Sequence, residues 1–187
     1  MFALQYLALR TAAGQRLDQL TMSAMGAQSG PLVDLSRTLL DATMPVVFCL
    51  LVIAFAIAVI RRDGRALTQG AVVVVGANVT TQLLKHVVID RPALADGVFF
   101  TGNSFPSGHA TLSAATACVI LLVVHGARGG GAAAIGGAMW ALVVGWGTIA
   151  SVWHRPSDVL GGLLVVAAWL FATRAVWTAP YPPTGNQ

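Results

Sequence analysis

Long apolar runs, separated by short polar connections, dominate the pattern of the chain. The clearest run, residues 44–60, contains no charged residue and ends at a basic cluster formed by Arg61, Arg62 and Arg65. A run of this length predicts a membrane-spanning helix, and the arginines mark the side of the membrane on which it stops. Four further runs predict four more spanning helices: residues 66–85, 108–125, 132–150 and 158–177.

Residues 1–40 do not form such a run, because charged residues interrupt them at short intervals. Apolar residues nevertheless recur there at helical spacing, for example Leu4, Leu7 and Ala8. This pattern predicts amphipathic helices that lie along the membrane surface. The predicted fold class is therefore all-α: an integral membrane helical bundle with five spanning helices, or six if a poorly apolar span lies near the N-terminus.

Composition agrees with a membrane protein. Hydrophobic residues make up 56% of the chain and charged residues only 10%, whereas a soluble domain carries about 25% charged residues. Because a charge in lipid is costly, every charged residue within or beside a span is a candidate for function. Cys49 and Cys118 lie inside apolar runs and are expected to be small buried side chains without a disulfide.

The basic residues also indicate how the helices are oriented. One set of connections contains the 61–65 cluster, Arg128 and Arg174, and by the positive-inside rule this set faces the cytoplasm. The opposite face then gathers the connections 86–107 and 151–157. Every segment with candidate chemistry falls on this second face.

Three short segments on this face carry candidate chemistry, and two of them predict a pocket for a phosphate group. Ser107, Gly108 and His109 open the third spanning helix, where unpaired backbone N–H groups and the helix dipole attract anions. Gly108 allows a ligand to approach the backbone closely. Lys85 and Arg91, at the end of the second span, add two positive charges.

The third segment supplies a candidate nucleophile. His154 and Asp158 are four residues apart at the start of a helix, so the carboxylate can hold one ring nitrogen and leave the other free to attack. His109 is a second imidazole on the same face and could protonate a leaving group. These side chains predict phosphoryl transfer, in which the nearby positive groups stabilise the transition state.

Taken singly, each of these residues also has an ordinary structural interpretation. Lys85 and Arg91 could be interfacial residues that extend their charges toward water, and Ser107 could be only an N-cap. His154 and Asp158 could equally form a structural hydrogen bond. The coincidence of three such segments on one face, in a chain with so few charges, favours a functional site.

These residues resemble the type 2 phosphatidic acid phosphatase (PAP2) family, whose core is shared with vanadium haloperoxidases. The family pattern is a Lys followed at a distance by Arg-Pro, then Pro-Ser-Gly-His, then Ser-Arg followed by His and, four residues later, Asp. Residues 106–109 match the middle motif fully, and His154 and Asp158 match the end of the third. The resemblance covers about residues 40–178.

The resemblance implies a role for each of these residues. His154 would form a phosphohistidine, Asp158 would orient it, and His109 would protonate the leaving group. The phosphate would be held by Lys85, Arg91, Ser107 and the amide of Gly108. The family needs no metal, so neither a metal nor another cofactor is expected, and its substrates are lipid monophosphates or diphosphates.

The chain departs from the family pattern in two of its motifs. The spacing between Lys85 and Arg91 is one residue shorter than usual. The Ser-Arg pair of the third motif falls at Gly147 and Thr148, so a phosphate-binding arginine is missing there. Arg155, directly after the candidate nucleophile, is a hypothetical substitute.

The leading hypothesis is a lipid phosphatase that acts outside the cytoplasmic membrane of a bacterium. The substrate could be a polyprenyl diphosphate, as in carrier-lipid recycling for cell-wall synthesis, or equally phosphatidate, phosphatidylglycerol phosphate or a prenyl-phosphoryl sugar phosphate. Polyprenyl-linked substrates are slightly favoured. The expected partners are this lipid substrate, membrane lipids and a second copy of the chain in a homodimer, with no nucleic acid. The expected organisation is an interfacial segment (1–40), a PAP2-like catalytic domain (41–178) and a flexible tail (179–187).

Three other classes of protein are weaker alternatives. A family member with a degenerate third motif would bind lipid phosphate without efficient turnover, and Thr148 is the feature that favours it. A haloperoxidase is disfavoured because the chain is embedded in a membrane. A membrane haem protein would take its axial ligands from among His86, His109, His125 and His154. Two of these histidines, however, lie beside phosphate-binding groups and not between facing apolar helices.

Overall fold

The computed structural model describes residues 1–28, 30–95, 102–124 and 130–178. All regular structure within these residues is helical, which confirms the predicted all-α class. In chain order the helices are α1 (Phe2–Leu9), α2 (Ala12–Gly26), α3 (Pro31–Ile60), α4 (Gly64–Leu83) with a π-helical turn at its end (Leu84–Val88), α5 (Gly108–Val123), α6 (Gly130–Ala150) and α7 (Pro156–Thr178).

Four helices among the described residues are long and apolar enough to cross a membrane. They cover Val33–Ile60, Gly64–Val88, Gly130–Ala150 and Pro156–Trp177. The remaining predicted span, residues 108–125, corresponds to α5, which is apolar but has only 16 residues. Helix α5 packs against α3, α4, α6 and α7 and so lies at the centre of the bundle.

The first spanning helix begins earlier than the apolar run predicted. Helix α3 starts at Pro31, whereas the run starts at residue 44. Its additional turns carry Asp34 and Arg37, which form an exposed ion pair at 3.9 Å. Because these charges lie on the outer face of the helix, they do not interrupt it. Helices α1 and α2 are shorter, with 8 and 15 residues.

The two cysteines are unpaired, as expected, but their burial differs from the expectation. Cys118 on α5 is half-buried, whereas Cys49 is exposed on α3. The exposed side of an apolar spanning helix faces lipid, so a small apolar thiol is tolerated there without a protein neighbour.

Helices α1 and α2 pack against the end of the bundle at which α5 and α7 begin. Leu9 of α1 joins a buried cluster with Ile89 and Phe105. Met22 of α2 packs in a second buried cluster with Ala110, Ile149 and Val159. The N-terminal helices therefore cover residues that lead into the sequence motifs.

Helix α7 approaches the start of α5 very closely. Its Gly162 leaves so little room that an added Cβ would lie 2.8 Å from the carbonyl oxygen of Ser107. At Gly161 an added Cβ would collide with the ring of Phe105. Two successive glycines thus allow the first turns of α5 and α7 to meet.

The opposite end of the bundle carries the basic cluster of residues 61–65. Arg61, after α3, donates a hydrogen bond from Nη1 to the carbonyl oxygen of Val123 at 3.0 Å, where α5 ends. The three motif segments lie at the other end. His125, Arg128 and the expected flexible tail 179–187 lie outside the described residues.

Candidate active site

The three motif segments meet at one end of the bundle. The backbone N–H of Ser107 donates to the carbonyl oxygen of Asp158 at 2.8 Å, which joins the starts of α5 and α7. Arg91, beyond the end of α4, donates from Nη1 to Oδ1 of Asp158 at 3.3 Å. Residues that are far apart in the sequence are therefore in direct contact, with Asp158 at the centre.

His154 lies beside Asp158 on the turn that leads into α7. Its Nδ1 is 3.6 Å from Oδ2 of Asp158, slightly longer than an ordinary hydrogen bond. Its backbone N–H donates to the carbonyl oxygen of Thr148 at 3.1 Å, so the end of α6 holds the histidine in place. With Nδ1 turned toward the carboxylate, Nε2 is the ring nitrogen that remains to react.

Asp158 is fully buried and surrounded by donors. Its Oδ2 accepts hydrogen bonds from the Ser104 hydroxyl at 2.6 Å and from the backbone N–H of Arg155 at 2.9 Å. Arg91 contacts the other carboxylate oxygen. A buried carboxylate is costly unless it is paired and hydrogen-bonded, and these partners meet that cost while fixing its orientation.

His109 provides a second imidazole near His154. The two ring centres are 6.3 Å apart, and the His109 ring is 5.5 Å from the ring of Trp153. His109 is half-buried on the first turn of α5, while Trp153 is exposed. The two histidines are thus separate from each other but close enough to act on one phosphoryl group.

The start of α5 has the predicted N-cap and open space beside it. The Ser107 hydroxyl accepts a hydrogen bond from the Ala110 N–H at 3.3 Å, so this oxygen is already used in capping the helix. Among the residues that the structure describes, an added Cβ at Gly108 would find only Nε2 of Gln82 within 4 Å, at 3.9 Å. A ligand can therefore approach the backbone at Gly108.

Lys85 lies in the π-helical turn that ends α4. Its side chain is half-buried, within electrostatic range of His109 and Asp158. Asn103 fixes this turn by donating from Nδ2 to the carbonyl oxygens of Lys85 at 2.9 Å and of Ile89 at 2.8 Å. The loop before α5 is thereby attached to the end of α4.

Among the predicted site residues, Arg91 has the surroundings that differ most from the prediction. Its Nη1 contacts Asp158, and its Nη2 is 3.0 Å from Oδ2 of Asp18 on α2. The Arg91 side chain is only 4% exposed. The family resemblance implies that Arg91 contacts a phosphate, whereas the structure places its guanidinium group between two carboxylates.

Thr148 occupies the position of the missing arginine of the third motif, and Arg155 is its hypothetical substitute. Thr148 is fully buried, and its hydroxyl donates to the carbonyl oxygen of Gly145 at 2.8 Å. Arg155 is buried and donates from Nη1 to the Ser104 hydroxyl at 3.2 Å. Burial, followed by the nearby charge of Arg91, lowers the pKa of Arg155 from its ordinary value, although Asp158 acts in the opposite direction. A second guanidinium group therefore lies at the site.

Three residues of the site were missed from the sequence: Asp18, Asn103 and Ser104. Asn103 and Ser104 lie just before the Pro-Ser-Gly-His motif, and their polar side chains in an apolar chain were the available signal. Asp18 is one of only seven acidic residues, and it belongs to the segment 1–40, for which the sequence predicts helices along the membrane surface. Its burial could not be predicted without knowing where α2 packs.

Comparison with known proteins agrees with the fold. A sequence model of the PAP2 superfamily matches residues 66–181. The structure is similar to that of the transmembrane PAP2 type phosphatidylglycerolphosphate phosphatase from Bacillus subtilis, with a TM-score of 0.74 and 24% sequence identity, over 94% of this chain and 92% of the other. No curated protein matches the chain. Because the family match spans more than half of the sequence, the chain belongs to the PAP2 superfamily and is a multi-pass membrane phosphatase.

Proposed function

We propose that the protein removes a phosphate group from a membrane lipid phosphate through a phosphohistidine on His154. The observation that carries this proposal is the arrangement of two imidazoles with one carboxylate. Nδ1 of His154 faces Asp158 at 3.6 Å, and the ring of His109 lies 6.3 Å away. This arrangement separates a nucleophile from an acid by a distance that suits a phosphoryl group.

In the first step, Nε2 of His154 attacks phosphorus while the bond between phosphorus and the lipid oxygen breaks. His109 transfers its proton to the departing oxygen. Asp158 stabilises the positive charge on the His154 ring through Nδ1. The lipid product leaves, and the phosphoryl group stays on His154.

In the second step, water attacks phosphorus and the bond to Nε2 breaks. His109 accepts a proton from the water and so returns to its starting state. Orthophosphate is released, and His154 is regenerated. No electron transfer takes place, and every proton that His109 donates is replaced from water.

The phosphate oxygens are held by positive charge and by the start of α5. Lys85 and Arg155 supply charge, and the open backbone at Gly108, beyond the Ser107 cap, supplies N–H donors. Arg91 adds positive charge, although two of its nitrogens already face carboxylates. These contacts stabilise the charge that develops on the phosphoryl oxygens.

The proposed substrate is a polyprenyl diphosphate or a phosphatidate-type lipid such as phosphatidylglycerol phosphate. The site lies at the end of the bundle opposite to the Arg61 end. By the positive-inside rule this end faces away from the cytoplasm. We therefore place the reaction on the outer side of a bacterial cytoplasmic membrane.

The test is phosphate release by the detergent-purified protein with EDTA present. Phosphatidate, phosphatidylglycerol phosphate and a polyprenyl diphosphate are compared as substrates, each with wild type and His154→Ala. Release that persists with EDTA and is lost in His154→Ala supports the proposal, and the best substrate defines the lipid class. Absence of release from every lipid, or full activity of His154→Ala, contradicts it.

A second candidate function is binding of lipid phosphate without efficient turnover. The observation that favours it is the buried Thr148 at the position of the family arginine, with its hydroxyl turned to Gly145. Thr148→Arg distinguishes the two functions. Release of phosphate by Thr148→Arg but not by wild type supports the binding function, while release by wild type at a rate similar to that of Thr148→Arg excludes it.

A further inference from the structure

The N-terminal helix α2 contributes a buried carboxylate to the site. Oδ2 of Asp18 is 3.0 Å from Nη2 of Arg91. Asp18 also accepts two hydrogen bonds from Ser157, one from the backbone N–H at 3.1 Å and one from the hydroxyl. Asp18 lies outside residues 66–181, over which the family model matches.

Arg91 is held by two carboxylates through different nitrogens. Nη2 contacts Asp18, whereas Nη1 contacts Asp158 at 3.3 Å. The side chains of all three residues are at most 8% exposed. Because water does not screen these contacts, removing either carboxylate leaves the guanidinium unbalanced and changes its orientation.

A second residue of α2 independently holds the loop that follows Arg91. Gln15, one turn before Asp18, donates from Nε2 to the carbonyl oxygen of Pro92 at 2.6 Å. Its Oε1 accepts from the backbone N–H of Leu94 at 3.1 Å. Helix α2 thus fixes both the backbone that carries Arg91 and the guanidinium itself.

We propose that Asp18 is a positioning residue of the active site. Through Arg91 it fixes the carboxylate of Asp158, and through Ser157 it fixes the first turn of α7, from which Asp158 projects. This inference rests on the proposed function, in which Asp158 orients His154. Since Asp18 acts through Arg91 and Ser157, its loss affects the chemical step more than lipid binding.

The first test compares Asp18→Asn with the matched control Asp34→Asn. Asp34 lies on the exposed face of α3 in a loose ion pair, so this control removes the same charge elsewhere. A misplacement of about 1 Å at a catalytic group can reduce a rate by about 100-fold. We therefore expect kcat of Asp18→Asn to fall by about 10- to 100-fold with KM little changed, whereas Asp34→Asn keeps the wild-type values.

A double-mutant cycle asks whether Asp18 acts through Arg91. Asp18→Asn, Arg91→Gln and the double variant are measured on the best lipid substrate. If the two residues act together, the double variant loses less than the product of the two separate losses. Losses that multiply, or an Asp18→Asn variant with wild-type kcat, overturn the proposal.

Two further variants test the proposal if Asp18→Asn does not fold or if the protein hydrolyses no lipid. If Asp18→Asn does not fold, Asp18→Glu keeps the charge but displaces it, and a lowered kcat at unchanged KM is expected. Amide hydrogen exchange of Asp18→Ala needs no substrate. Faster exchange in the peptide containing Ser157, with α6 unchanged, supports the positioning role, and unchanged exchange there overturns it even if no lipid is hydrolysed.

Discussion

Nδ1 of His154 lies 3.6 Å from Oδ2 of Asp158, and the two residues are four positions apart where α7 begins. This relationship places the same carboxylate beside the imidazole, beside Arg91 and beside the Ser104 hydroxyl. A single buried group therefore lies beside the proposed nucleophile and is itself held by residues from three parts of the chain.

Replacing Asp158 by Asn is expected to reduce kcat by about 1,000-fold or more, by analogy with other carboxylate–histidine pairs. The Asn amide can donate to Nδ1, which would place the ring proton on Nε2 and block attack. The measurement is phosphate release by the purified variant. Asp41→Asn, on the exposed face of α3, is the control and should retain wild-type activity. A loss of less than tenfold in Asp158→Asn would contradict the orienting role.

Replacing His109 by Gln is expected to slow hydrolysis of lipid phosphates by about 100- to 10,000-fold, because an alkoxide leaving group needs a proton. A substrate with a good leaving group, such as p-nitrophenyl phosphate, needs that proton much less. The two substrates are compared in wild type and variant. Equal losses on both substrates would argue against a role as the acid.

Replacing Ser104 by Ala removes the hydroxyl that donates to Asp158 and accepts from Arg155. The buried partners then lack a hydrogen bond, so the free energy of unfolding should fall by about 1–3 kcal/mol, with a lower kcat as well. Thermal unfolding in detergent and phosphate release are measured together. Thr38→Ala is the control, at an exposed position on α3 where the hydroxyl donates to the carbonyl oxygen of Asp34 in the same helix. Full activity in Ser104→Ala would show that Asp158 keeps its orientation without this contact.

Replacing Gly162 by Ala should destabilise the protein and lower its activity, because the new Cβ would lie 2.8 Å from the carbonyl oxygen of Ser107. Overpacking of this kind costs about 1–3 kcal/mol. The matched control is Gly131→Ala, since no atom of the described residues is found within 4 Å of its added Cβ. Thermal unfolding should show a lower midpoint for Gly162→Ala only. Equal midpoints would mean that α5 and α7 can separate without consequence.

Much of the fold was predictable because the membrane imposes a simple rule on the sequence. Lipid tolerates long apolar helices, so each apolar run corresponds to one helix of the bundle. The start of α3 was predicted too late because Asp34 and Arg37 lie on its outer face. A helix can continue past charged side chains that lie near its end or on its exposed face. A hydropathy pattern alone does not show that these residues are helical.

The candidate site was predictable as far as its sequence motifs extend. The basic connections mark one end of the predicted spans, which places Ser107, His109 and His154 at the other end. The structure brings the segments that carry these three residues together. The partners of Arg91 were not predictable, because a buried guanidinium can be balanced by a protein carboxylate as well as by a phosphate. Asp18 reaches Arg91 only through the packing of α2, whose Met22 lies in a buried cluster with Ala110, Ile149 and Val159.

The short central helix has a consequence for how a lipid reaches the site. With 16 residues, α5 rises about 24 Å, less than the hydrocarbon core of about 30 Å. Arg61 attaches the far end of α5 to the basic end of the bundle, so with that end at one boundary of the membrane Ser107 and His109 would lie below the opposite surface. We therefore expect a lipid phosphate to enter below the headgroups of its neighbours in order to react, and phosphates that remain at the surface to be out of reach.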